Sequence, residues 1–163
     1  MKQLLSILLM LTLGAPSLWA QDKHSETYIR ERIDAIYDNY VHWTNEDGID
    51  YPVFFQDADS AYCSTGYNAL MDQALECLGD DDILFDYDYW ICGQDVCDNF
   101  HHQIMKVRDI TDTTAVVELK VVNCNENDVV LTLVFERGDW YIDDFNGENQ
   151  PYFHQIINGN TSR

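Results

Sequence analysis

The sequence predicts an α+β domain in which two N-terminal helices pack on a four-stranded antiparallel sheet. Two observations carry that expectation. In the first half of the chain apolar residues recur every three or four positions, the spacing of one helix face. After Phe100 the period drops to two, and four β-rich runs follow across short turn-type links. A third observation sets the domain boundary. Residues 1–20 have the layout of a secretory signal peptide: Lys2 as a basic start, an apolar run of ten from Leu4 to Leu13, and a small, turn-prone stretch from Gly14 to Ala20. The apolar run is too short to cross a bilayer as a helix. With cleavage expected after Ala20, residues 21–163 form one domain of 143 residues, enough to bury a core.

Each element follows in order. From Ser25 to Val41, residues Ile29, Ile33, Ile36, Tyr37, Tyr40 and Val41 form one stripe, with Ser25 as N-cap and Glu26 and Glu31 near the positive end. Residues 42–60 read as an irregular connection, broken at Asn45 to Gly48 and Pro52, with Val53 to Phe55 entering the core. A second helix spans Thr65 to Leu78, capped by Ser64 or Thr65 and ended by Gly79, with Leu70, Met71, Ala74, Leu75 and Leu78 on one side. Strands are expected at 102–109, 114–122, 129–136 and 140–145. The links, Thr111 to Thr113, Asn123 to Asp128 and Arg137 to Asp139, are short enough to make the strands an antiparallel meander. Ala115, Val117, Leu119 and Val121 face one side, Glu118 and Lys120 the other, so one apolar face needs the helices as cover. The tail is polar except for Pro151 to Ile157, a terminal helix or a segment along the sheet edge.

Charge narrows the function classes. Beyond the signal peptide, eight Lys and Arg oppose twenty-nine Asp and Glu, a formal −21. No Lys or Arg occurs from Ile33 to Met105, a window holding sixteen Asp and Glu. Such a surface repels phosphate backbones and anionic lipid heads, which argues against nucleic acid and membrane-surface binding. It provides solubility, and it suits a cationic small molecule or a basic protein as partner. No second apolar segment of membrane length follows the first, and the export signal places the chain in the periplasm or outside the cell.

Five cysteines follow the signal: Cys63, Cys77, Cys92, Cys97 and Cys124. Export permits disulfides, and the odd count leaves at least one thiol unpaired or joined to another molecule. Cys63 and Cys77 flank a helix and would stand about 20 Å apart, beyond disulfide reach. Cys92 and Cys97, with Gly93 between them to permit a tight turn, are the expected bridge. Cys92, Cys97, His101 and His102 lack the paired spacing of a zinc site. No window, including Asp57-Ala-Asp59 and the Asp80 to Asp82 run, meets the calcium-loop pattern, and nucleotide and nucleophile-elbow motifs are absent, so no metal or cofactor is expected.

The densest chemistry is "DYDYWICGQDVC", Asp86 to Cys97. Three readings compete. Asp86, Asp88 or Asp95 as a general base beside Tyr87, Tyr89 and Trp90 would serve catalysis. The same residues with Gln94 could edge a ligand site. As structure alone, the Asp and Gln side chains would bond backbone amides while Trp90 and Ile91 plug the mouth of a hollow beneath the sheet. Along the sheet, His101 and His102 face opposite sides, as do Asp143 and Asp144, so one member of each pair is a candidate for a cavity. Tyr62, Tyr67, Trp43 and Trp140 are candidate pocket aromatics, with core packing the alternative.

Helix, helix, meander and the ending "ERGDWYIDDF" resemble the cone-shaped nuclear transport factor 2-like superfamily. Leu133 to Phe135, Gly138 to Trp140 and Ile142 to Asp144 match its last strands. The segment "DYDYWICGQDV" before the sheet is similar to the exported bacterial family of domain of unknown function 3828. The resemblance covers residues 25–145 and implies a curved sheet forming an open cone in an exported bacterial protein, with no activity to transfer. The expectation is a non-enzymatic binding module for a small molecule or a peptide, with Tyr67, Asp86, Asp88, Trp90, Gln94, Asp95, His102 and Asp144 as its ligand-binding candidates. The alternative is a cofactor-free lyase or isomerase using an Asp–His or Asp–Tyr pair inside the cone. The alternation does not decide between a monomer and a homodimer paired through the outer sheet face.

Overall fold

The computed structural model describes residues 22–46, 58–79 and 82–160; the signal peptide and the Val53 to Phe55 segment lie outside them. Strands β1 (His101–Arg108), β2 (Thr114–Asn123), β3 (Asn125–Glu136) and β4 (Asp139–Phe145) form one sheet in chain order, each antiparallel to the next. Alternation chooses the faces: Ala115, Val117, Leu119 and Val121 of β2 and Val129, Leu131 and Leu133 of β3 are buried in the core, while Glu118 and Lys120 face outward.

The link expected at 123–128 is instead a tight hairpin. Pairing runs from Thr114↔Val134 to Asn123↔Asn125, and Cys124 turns the corner with φ 58°. Polar residues Asn125 to Asp128 look like a loop in sequence. They are strand because backbone pairing, not side-chain polarity, makes a ladder, and they sit where the strand projects past the core into water. At the β3–β4 turn Arg137 and Gly138 take φ 50° and 79°, the left-handed geometry of a two-residue hairpin turn in which glycine is the natural second residue.

Two irregularities bend the sheet. Met105 is an extra residue in β1 between Ile104↔Leu119 and Lys106↔Glu118, and the side chain is correspondingly exposed. In β4, Asp143 is the extra residue between Ile142↔Leu133 and Asp144↔Thr132. Bulges of this kind kink a strand and re-aim side chains.

Helix α1 (Glu26–Glu46) runs five residues past the expected end. Its stripe, Ile29, Ile33, Ile36, Tyr37 and Tyr40, is at most 1% exposed. Ser25 Oγ accepts from Tyr28 N at 3.2 Å as the cap. The helix lies along β1 and is tied to the sheet by polar contacts: Arg30 Nη1 donates to Ile104 O at 3.1 Å and Tyr28 Oη to Asp139 Oδ1 at 2.9 Å. Residues 58–62 are helical, although 58–60 were expected as part of the connection. Helix α2 (Thr65–Cys77) starts at Ser64, whose Oγ accepts from Tyr67 N at 2.9 Å, and ends before an extended Leu78. The tail is the terminal helix α3 (Asn149–Asn160), packed on α2 and touching β4.

The disulfide joins Cys97 to Cys124, not Cys92 to Cys97. Nearness in sequence misled, because Cys92 is spent inside a closed turn: it takes φ 54°, and its Sγ lies 3.9 Å from Tyr89 O. Asn123 instead draws residues 95–97 to the β2–β3 hairpin, donating from Nδ2 to Asp95 O at 2.8 Å and accepting from Cys97 N at 2.8 Å. Gly93 permits this approach, since a Cβ there would lie 2.6 Å from Asn123 Nδ2. A structural disulfide of this kind marks an oxidising compartment. With the paired cysteines 27 positions apart, it is expected to contribute about 3 kcal/mol by restricting the unfolded chain. A Cys97→Ser/Cys124→Ser protein should lose that amount in urea unfolding; a midpoint unchanged from the wild type would show that the Asn123 contacts alone hold the segment.

Candidate functional site

The Asp86 to Cys97 segment folds around Trp90. Asp88 and Gly93 exchange backbone hydrogen bonds of 2.7 and 3.2 Å, closing a turn. Asp88 Oδ1 then accepts from Trp90 N at 2.7 Å and Ile91 N at 3.4 Å, an aspartate turn of the kind that replaces a ladder. Its other oxygen accepts from the Tyr40 hydroxyl. The opposite end of Trp90 is held by Asp59, whose Oδ1 accepts from indole Nε1 at 3.0 Å and from Cys63 Sγ at 3.5 Å, while Oδ2 accepts from the Tyr89 hydroxyl. Tyr40 stacks on the indole at 5.2 Å and 12°, and Phe145 meets it edge-on at 4.9 Å. Trp90 and Ile91 are completely buried.

Two carboxylates therefore sit in the core, each 1% exposed, and among the described residues neither has a Lys or Arg partner. Burial pushes Asp59 up to about 6 and Asp88 up to about 7, against the hydrogen bonds that favour their charged forms. Desolvation likewise raises the Tyr37 and Tyr89 hydroxyls and the Cys63 thiol. The Tyr37 hydroxyl is buried in this polar patch without a hydrogen-bond partner among the described residues. Asp–Tyr pairs thus exist inside the fold, Tyr40–Asp88 and Tyr89–Asp59, and each aspartate also accepts from Trp90. The arrangement anchors an indole.

The other candidates are dispersed. Tyr67 is buried among Tyr89, Phe145 and Phe153, and its hydroxyl accepts from Asn149 Nδ2 at 2.9 Å. Gln94 is exposed and donates from Nε2 to Asp86 O at 3.1 Å. Asp95 is exposed, its carbonyl held by Asn123. His102 bridges β1 to α1 through Asp34 at 3.0 Å and lies against the Tyr37 ring, while His101 faces outward. Trp140 is buried, and its Nε1 donates to Lys23 O at 2.6 Å. Asp144, re-aimed by the β4 bulge, is the N-terminal cap of α3: its Oδ1 accepts from Phe145 N at 2.8 Å, Asn149 N at 3.0 Å and Gln150 N at 3.3 Å.

Asp86 alone of these lines the open groove between residues 83–87 and the start of α3. The groove has a volume of about 580 Å³ and is walled by Ile83, Phe85, Asp86, Tyr87, Glu148 and Tyr152. Phe85 is its anchor: the ring packs inward on Tyr89 at 4.9 Å and Phe153 at 5.9 Å, and meets Tyr87 at 6.3 Å and Tyr152 at 5.5 Å. Of the five large apolar side chains left exposed among the described residues, three belong to this groove: Ile83, Tyr87 and Tyr152. The Tyr87 hydroxyl is raised by burial and then by the charges of Glu148, Cys92 and Asp86. Sequence reasoning passed over Phe85, Glu148 and Tyr152, since nothing local ties the end of one loop to a helix sixty residues on. The available signal was Pro151 to Phe153, aromatic residues in a polar tail.

No family model and no curated protein matches this sequence. Among solved structures, a protein of unknown function from Bacteroides thetaiotaomicron VPI-5482 superposes with a TM-score of 0.45 at 16% identity, over 77% of this chain and 99% of its own.

Proposed function

We propose that this protein is an exported bacterial binding module, periplasmic or secreted and built on the nuclear transport factor 2-like plan, that holds a cationic small molecule or basic peptide in the 83–87/α3 groove. One observation carries the reading: exposed Ile83, Tyr87 and Tyr152 gather around two carboxylates, Asp86 and Glu148, in a cavity of ligand size. Solvated aromatic and aliphatic surface costs free energy unless something covers it, and Coulomb attraction selects a cation as the cover. The acidic chain adds a long-range field that draws cations inward. The Cys97–Cys124 disulfide supports export.

A polyamine or an Arg- and Lys-rich peptide at ten times its Kd should raise the thermal midpoint by about 3 °C, and the response should shrink with added salt. An Asp86→Asn/Glu148→Gln protein alters two exposed side chains. It should keep the unliganded midpoint and lose the response. A wild type that responds to neither polyamine nor basic peptide nor divalent ion ends the reading.

A further inference from the structure

We infer that the cation held in this groove is a methylated ammonium carried on a short uncharged chain, a choline-like ligand, an inference that rests on the cationic reading of the same groove. Three rings converge there. Phe85 stands between Tyr87 and Tyr152, with interplanar angles of 76° and 44°, so the rings form non-parallel walls and not a stack. Aromatic surface left open to a groove attracts a diffuse cation, and Tyr87 and Tyr152 both line this one and keep exposed surface.

The hydrogen-bonding inventory favours the methylated form. A primary ammonium brings three N–H donors and a tightly held water shell, and it gives up that shell only for acceptors placed around it. The groove's charged acceptors are Asp86 and Glu148, both exposed to solvent. A trimethylammonium group has no donors to satisfy and a weak hydration shell. It gains from ring faces by contact and from the two carboxylates through space, without requiring either to shed water.

Volume and charge then restrict the rest of the ligand. A cavity of about 580 Å³ exceeds a single head group, and Ile83 and Leu84 offer an aliphatic wall for an attached chain. An anionic end on that chain would meet Asp86, Glu148 and the acidic surface around them, so betaine-type zwitterions are disfavoured against a neutral alcohol end.

The test titrates the protein, by calorimetry or by shifts of tyrosine ring signals, with four probes: choline, ethanolamine, glycine betaine, and the uncharged analogue of choline in which a tert-butyl group replaces the trimethylammonium. Choline should bind about tenfold more tightly than ethanolamine, and the uncharged analogue and betaine more weakly still, in line with the strength of cation–ring contacts. Tyr87→Leu and Tyr152→Leu keep apolar bulk while removing the ring, and each should weaken choline about tenfold and ethanolamine far less. Ethanolamine binding as tightly as choline overturns this inference and leaves the cationic reading standing. Equal binding of the uncharged analogue overturns it by making the groove merely apolar. Failure of all cations, together with the polyamine and the basic peptide, removes both.

Discussion

Replacing Trp90 with alanine is expected to cost about 4 kcal/mol of folding free energy, a large share of the roughly 5–15 kcal/mol that stabilises a typical domain. The indole is wholly buried, with Tyr40 stacked on one face and Phe145 at its edge, so its removal leaves a large hole that rigid neighbours refill only in part. A polar loss adds to the cavity, because Asp59 gives up the Nε1 donor on one of its oxygens. Trp90→Phe separates the two terms: it keeps most of the volume, loses the donor, and should cost about 2 kcal/mol. Urea unfolding followed by far-ultraviolet circular dichroism measures both. An alanine variant within about 1 kcal/mol of the wild type would show that the segment is not a core plug.

Stability should also fall as the solution is made more basic, by several kcal/mol between about pH 4 and about pH 8. Asp59 and Asp88 hold their protons up to about 6 and about 7 in the folded protein, whereas the ordinary aspartate value is 3.8. Through that interval the folded state binds more protons than the unfolded chain, so unfolding releases protons and rising pH favours it. The stabilising contribution is complete below the unfolded value and is lost as pH passes through the two folded ones. Surface repulsion in so acidic a chain acts in the same direction, so the variants decide the origin. Asp59→Asn/Asp88→Asn retains oxygen acceptors for the Trp90 amide and indole, and its profile of denaturation midpoint against pH should be distinctly flatter. Parallel profiles for variant and wild type would assign the slope to the surface alone.

These two expectations rest on contacts of unequal visibility in the sequence. The α1 stripe from Ile29 to Tyr40 and the inward row of Ala115, Val117, Leu119 and Val121 were readable, because burial along one element imposes its period on neighbouring residues. The structural reading of Trp90 and Ile91 put them at the mouth of a hollow, and only their contacts with Asp59 and Tyr40 place Trp90 wholly inside the core. Asp59 invited attention only as half of an Asp-x-Asp calcium pattern. Its actual partners, Tyr89 and Trp90, lie thirty and thirty-one residues away. The Cys97–Cys124 bridge was missed for the same reason, since spacing in sequence says little about which turn an asparagine will draw alongside another.

What the sequence determined by itself was the fold class: helical period first, period two afterwards, and links too short for anything but antiparallel neighbours. These are properties of adjacent residues, which share one backbone geometry and one side of the core. The tertiary structure decided which acids are buried and which face solvent. Asp86 and Asp88 differ by two positions, yet one lines an open groove with Glu148 and Tyr152 and the other is sealed beneath Tyr40. The desolvation and Coulomb energies that set a carboxylate's chemistry come from whatever the folded chain brings within a few ångströms, and that neighbourhood exists only once distant segments have met.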